Sequence, residues 1–165
     1  EAIAALKSAG IPVHIFSGDT TEAVDTLAAK LDVTSAHAQM LPADKMARIK
    51  QLSDDGAKVL MIGDGLNDTG ALAQAYASIS PASALDASRA ASDIVLLSRS
   101  LAEIPDAIRT AKSARLRVLE NFGIAAAYNL VAVPVAILGF ASPLSAAIAM
   151  SASSITVLVN ALRVK

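Results

Sequence analysis

The 165-residue sequence has no cysteine and no tryptophan, and only three phenylalanines and two tyrosines. Without cysteine, neither a disulfide framework nor a thiolate metal site can form within it. Fourteen basic residues against fifteen acidic ones leave a net charge of -1, so no electrostatic footprint favours nucleic acid as a partner. A secretory signal pattern is absent as well. The opening "EAIAALKSAG" reads as an amphipathic helix ending on Gly10. That helix starts without a capping residue and the chain does not open on methionine, so the sequence reads as one entered partway through.

Apolar residues, by contrast, make up 54% of the chain, high for a purely soluble domain. The excess lies at one end. From Asn121 to Leu162 no residue carries a formal charge, and this run is about twice the roughly 20 residues a helix needs to cross a bilayer. "GFASP" (Gly139 to Pro143) interrupts it. The run therefore predicts two spanning helices joined by a tight turn; a pair of buried helices in a soluble protein is the competing reading. Arg109, Lys112, Arg115 and Arg117 precede the first span, Arg163 and Lys165 follow the second, and the turn has no basic residue. Both ends are thus expected on the cytoplasmic side of a lipid bilayer. Residues 1–118 form the expected cytoplasmic domain and 119–165 the transmembrane hairpin.

Within residues 1–118, strand-like and helix-like patterns alternate. "IPVHIF" is a short apolar, partly β-branched run, and "KVLMIG", "ASIS" and "DIVLL" read as further short strands. Between them, "TTEAVDTLAAKL", "PADKMARIKQLSDDG" and "NDTGALAQAY" carry helical spacing, with Thr20 or Thr21 as an N-cap, Pro42 at a helix start and Gly56 past a helix end. Such alternation predicts an α/β domain whose parallel sheet has helices on both faces. Ligands of these sheets bind at the C-terminal strand ends.

Two loops fall at those ends: "SGD" (Ser17, Gly18, Asp19) and "GDGLND" (Gly63 to Asp68). Glycine lets backbone N–H groups approach an anion, Ser17 adds a hydroxyl donor, and paired carboxylates hold a hard cation. Lys45, near the start of the intervening helix, offers the positive charge that phosphoryl transfer requires on its equatorial oxygens. His14 within a strand and His37 in an expected loop have no partner at metal-ligand spacing and read as structural.

"SGD", "MLPADK" and "MIGDGLNDTGALA" together resemble the phosphorylation-domain motifs of P-type ATPases, which share the haloacid dehalogenase-like fold. The resemblance continues through both hydrophobic runs. There "YN" (Tyr128, Asn129) and "MSASS" (Met150 to Ser154) look like the metal-site signatures of heavy-metal pumps, in particular the copper(I) class. "SISPASALDASRAASDIVLL" resembles the copper pumps that serve haem–copper oxidase assembly. The resemblance implies ATP and Mg²⁺ as cofactors and a heavy-metal ion, Cu⁺, as cargo. Asp64 would bind Mg²⁺, with Asn67 and Asp68 orienting the site and pairing with Lys45. Ser17, Gly18 and Gly65 would contact phosphate, and Asp19 would lie on the nucleotide side. Tyr128, Asn129, Met150 and Ser154 would help coordinate the transported ion, thioether sulfur suiting Cu(I).

The sequence also departs from that family's pattern. The "DKTGT" loop with its aspartate nucleophile is nowhere in it, so the chain is expected to be the C-terminal portion of a pump whose missing N-terminal portion is its partner. Thr69-Gly70 stands where the family usually has Ala-Pro, and "SPASA" replaces a "GTGTD"-like stretch. Two other functions compete: a soluble phosphatase of the same fold, and a catalytically silent membrane-anchored binding module. Single residues have plainer readings too. Asp64 and Asp68 could serve a turn and a helix N-terminus, Met150 could fill space, and Tyr128 and Asn129 could bond helix to helix.

Overall fold

A computed structural model describes residues 1–98 and 100–164, apart from the Leu66 side chain. Lys165, one of the basic flanking residues named above, lies outside the described residues. The chain divides into two units, Glu1–Pro105 and a second beginning at Asp106. The boundary expected after residue 118 falls inside a continuous helix.

In the first unit, helix Ala2–Ser8 (α1) precedes strand His14–Phe16 (β1), and helix Thr21–Leu31 (α2) carries the chain to strand Ser35–His37 (β2). β1 and β2 pair in parallel, His14 opposite Ser35 and Phe16 opposite His37. His37 therefore ends a strand rather than lying in a loop. The tripeptide Ser-Ala-His is too short and too polar to give a strand signal of its own; pairing with β1 makes it one. Thr20 is the extended residue before α2, although its side chain makes no capping bond. Val24 and Ala28 of α2 are buried, the four-residue spacing of one helix face.

Helix Pro42–Asp54 (α3) starts on proline, whose missing N–H is unneeded there. Its entry is closed by the Asp44 carboxylate, which accepts from the Leu41 N–H at 2.9 Å. Gly56 follows it at φ +87°, a backbone region that side chains disfavour. Strand Leu60–Ile62 (β3) then leads through a 3₁₀ turn, Leu66–Asp68, into helix Thr69–Gln74 (α4). Strand Ala77–Ser80 (β4), helix Asp86–Ala91 (α5) and strand Ile94–Val95 (β5) complete the set, followed by a 3₁₀ turn at Leu101–Glu103. β3, β4 and β5 form a parallel sheet in that order, separate from β1–β2. Ile49, Leu72, Ile79 and Ile104 are fully buried.

Helices Ile104–Ile137 (α6) and Pro143–Ala161 (α7) follow, both long and apolar enough to cross a membrane. α6 continues through Pro134. α7 opens with a reciprocal cap in which Ser142 Oγ accepts from the Ser145 N–H and Ser145 Oγ accepts from the Ser142 N–H. A polar clasp joins the two helices: Asn160 Nδ2 donates to Asn121 Oδ1 at 2.9 Å, and Asn121 Nδ2 donates to the Val157 carbonyl at 3.4 Å. Asn160 is buried. Such a bond in lipid contributes about 0.6 kcal/mol on average.

The half-buried positions mark the seam of this hairpin. They are Asn121, Ile124, Ala125, Tyr128 and Ala132 on α6, and Ala149, Ser153 and Val157 with buried Asn160 on α7. This spacing of three and four is the expected stripe of packed helices.

Candidate active site and membrane ion site

Both motif loops follow C-terminal strand ends, Ser17–Asp19 after β1 and Gly63–Asp68 after β3. The first loop is stitched to the chain leaving β2. Ser17 N–H donates to the His37 carbonyl at 3.0 Å, Met40 N–H to Ser17 O at 2.9 Å and Gln39 N–H to Asp19 O at 2.9 Å. Within it, Ser17 Oγ donates to Asp19 Oδ2 at 2.8 Å, so the hydroxyl and the carboxylate are held as a pair. Residues 39 and 40 lead directly into α3 and Lys45.

Lys45 joins this assembly to the acidic loop. Its Nζ lies 2.7 Å from Asp68 Oδ1, with the two side chains only 11% and 14% exposed. Burying such a pair is costly unless both partners remain matched; the match fixes α3 against the 3₁₀ turn. Gly63 is part of the same fit. A Cβ built there would lie 2.8 Å from Asp68 Cβ, closer than real contacts allow, so a side chain at 63 would push Asp68 off Lys45. Asp64 and Asn67 are exposed at the loop surface.

Sequence reasoning missed what holds this loop from behind. α5, too short and too rich in alanine and serine to show periodicity, supplies Ser88, whose Oγ donates to the Gly65 carbonyl at 2.6 Å. Leu85 N–H, just before α5, donates to Asp64 O at 3.3 Å. The only sequence signal was the unusual "SPASALDAS" stretch itself.

In the hairpin, Tyr128 lies on the seam and Asn129, Met150 and Ser154 are exposed. Ser154 Oγ donates to the Met150 carbonyl at 3.0 Å. Among the described residues no hydrogen bond links Tyr128 or Asn129 to Met150 or Ser154. Helical geometry nevertheless groups three of them. Asn129, Met150 and Ser154 each follow a seam residue by one position, a rotation of about 100° in a helix of 3.6 residues per turn. Because α6 and α7 run antiparallel, the two rotations turn toward the same side of the hairpin. The clasp pairs Asn121 with Asn160, so the level of Asn129 falls near Ala152, between Met150 and Ser154.

The sequence of residues 1–75 matches the family model described as "Hydrolase: haloacid dehalogenase-like hydrolase". The chain is 48% identical over 163 residues to "Nitrogen fixation protein FixI" of Bradyrhizobium diazoefficiens, covering 99% of this chain. It is 34% identical over 170 residues to "Copper-transporting ATPase 1" of Mus musculus, again covering 99% of this chain. Its fold, with both long helices, superposes on a zinc-transporting PIB-type ATPase in the E2.Pi state with a TM-score of 0.90, 27% identity and 99% of this chain covered. The chain belongs to the heavy-metal class of the P-type ATPases. It spans 22% and 11% of the lengths of those two curated relatives, and 27% of the zinc-transporting chain. Like other P-type ATPases it is a membrane protein, with α6 and α7 as its candidate spans and its haloacid dehalogenase-like unit cytoplasmic.

One histidine of this P-type ATPase chain has a lowered pKa. His14 Nδ1 and Ser35 Oγ share a hydrogen bond of 2.7 Å, and Phe16 packs between the rings of His14 and His37 at 6.1 and 5.5 Å. Partial desolvation of its ring, in a residue that remains exposed, then Arg48, then His37 hold the His14 pKa below its ordinary value of 6.5. A depressed histidine contributes stability above the unfolded value that is lost as pH falls through the folded one. The thermal midpoint of the α/β unit is therefore expected to drop as pH is lowered from 7.5 to 5.5, and His14→Gln to flatten that slope. A slope identical in the variant would remove His14 as its source.

Proposed function

We propose that the chain is the C-terminal part of an ATP-driven copper-transporting pump, carrying its Mg²⁺-binding loop, its phosphate contacts and part of its ion path. The observation that carries this reading is the buried Lys45–Asp68 pair, which holds a cation beside an acidic loop at the strand ends. Among the described residues no three histidines, aspartates or glutamates gather as a metal cage. Mg²⁺ takes one or two protein carboxylates and completes its shell with water and phosphate oxygens.

In this reading Asp64 holds the metal through its exposed carboxylate. Bound Mg²⁺ supplies neutralisation of the phosphoryl oxygens. Lys45 places its ammonium toward the same oxygens, held by Asp68, while Asn67 orients the loop. Ser17 and Gly18 offer a hydroxyl and a backbone N–H to phosphate, Gly65 lets the loop backbone approach, and Asp19 faces the nucleotide. The aspartate that accepts the phosphoryl group belongs to the N-terminal portion of the pump.

For the cargo, Asn129, Met150 and Ser154 on one side of the hairpin, with Tyr128 at its edge, form the contribution of this chain to the ion path. Polar side chains at bilayer depth are costly and tend to be retained for function. A thioether favours Cu(I) over harder ions. In the full-length pump reconstituted in lipid vesicles, Met150→Leu is expected to raise the Cu(I) concentration for half-maximal ATPase activity by at least about tenfold. Packing should survive, since this exchange nearly conserves volume. An unchanged half-maximal concentration would remove Met150 from the ion path.

A further inference from the structure

Three buried serines occupy the sheet and helix behind the acidic loop, and their hydroxyls do different things. Ser78 and Ser80 lie on β4 and Ser88 on α5, with exposures of 1%, 0% and 0%. A hydroxyl so placed must find a partner or destabilise the fold. Ser78 Oγ donates to Asp93 Oδ2 at 2.9 Å, a bond between β4 and the residue leading into β5. Ser80 Oγ donates to the Ser88 carbonyl at 3.1 Å, and Ser88 Oγ donates in turn to the Gly65 carbonyl. The last two bonds form a line from the sheet, through α5, to the loop.

The end of that line is specific. The Gly65 carbonyl also accepts the Asp68 N–H at 3.0 Å, and the Asp64 carbonyl accepts the Leu85 N–H at 3.3 Å. The peptide groups on both sides of Gly65 are thus fixed by α5 and its entry segment. Those peptides separate Asp64 from Asp68, whose carboxylates must point to one place if they are to serve one metal ion and one phosphoryl group. Gly65 has no side chain to resist rotation of its own peptide, so the constraint has to come from outside the loop.

We infer that Ser88, backed by Ser80, is a positioning residue that fixes the carboxylate geometry of the acidic loop for a divalent cation. The inference rests on the reading of Asp64 as the metal ligand. Ser88 touches neither metal nor phosphate and acts through the Gly65 carbonyl. Its removal loosens the loop while Asp64, Asp68 and Lys45 all remain.

The test uses the full-length pump with two readouts. In metal-free protein, Ser88→Ala is expected to speed hydrogen exchange at the Asp68 and Leu85 amides and to leave the paired amides of β4 unchanged. In the turnover assay, the Mg²⁺ concentration for half-maximal phosphate release is expected to rise about 3- to 10-fold, the size associated with one buried hydrogen bond. Ser80→Ala should shift both readouts the same way but less. Ser78→Ala removes a buried serine bond of the same sheet away from the loop, and should lower thermal stability without moving the Mg²⁺ dependence. An unchanged Mg²⁺ dependence in Ser88→Ala, with Asp64→Asn strongly affected, overturns the inference alone. If Asp64→Asn also leaves the Mg²⁺ response intact, the metal reading of the loop falls with it. Equal shifts in Ser88→Ala and Ser78→Ala would make Ser88 merely structural.

Discussion

Lys45→Met is expected both to unfold the α/β unit more easily and to abolish turnover of the intact pump. The Lys45 ammonium and the Asp68 carboxylate are almost wholly withdrawn from water. Removing one partner of a buried pair leaves the other charge uncompensated, at a cost of about 3–5 kcal/mol. That is a large fraction of the roughly 5–15 kcal/mol by which domains are stable, and corresponds to a fall in thermal midpoint of at least about 10 °C for a unit of this size. The structural and chemical contributions can be separated. Lys45→Met combined with Asp68→Asn removes both charges and should recover much of the lost midpoint, because no buried carboxylate remains unpaired. Turnover should stay absent in the double variant, since the cation itself is missing. A double variant that regains turnover with stability would confine Lys45 to a packing role.

Asp64→Asn is the complementary experiment. Asp64 is exposed, so the substitution should change stability by no more than about 0.5 kcal/mol. The amide keeps the shape of the side chain and loses the charge that a hard cation needs. Phosphate release by the intact pump at saturating Mg²⁺ is expected to fall at least about 100-fold, the scale on which loss of a charge-stabilising group acts. Wild-type turnover in a folded Asp64→Asn protein would sink the metal assignment. The two variants thus dissociate: one loses stability and chemistry together, the other chemistry alone.

The elements that the sequence announced are those with strong local signals. Pro42, Gly56 and the helical spacing of Met46, Ile49 and Leu52 delimit α3; the β-branched run before Gly63 marks β3; and the uncharged stretch after Glu120 marks two helices. The two strand-end loops and Lys45 could be picked out because glycine, carboxylate and lysine in that order have few purely structural uses. Three features were not legible. β2 is a polar tripeptide that becomes a strand only through its hydrogen bonds to β1. α5 is a short run of small residues without periodicity, so Ser88 had no visible claim on the loop. The clasp between Asn121 and Asn160 joins residues 39 apart in sequence, and nothing local announces such a pairing. Each depends on long-range contacts, which side-chain periodicity does not encode.

The one-residue offset between the hairpin seam and the Asn129, Met150 and Ser154 side also limits how these helices can change in length. Inserting or deleting a single residue between the clasp and these positions turns everything beyond it by about 100°. A seam residue would then face the proposed ion path, or a residue of that proposed path the seam. The turn at 138–142 lies beyond both sets of positions and imposes no such phase. A change in length can therefore be accommodated in that turn, whereas the intervals 121–129 and 150–160 keep their phase only at fixed residue counts.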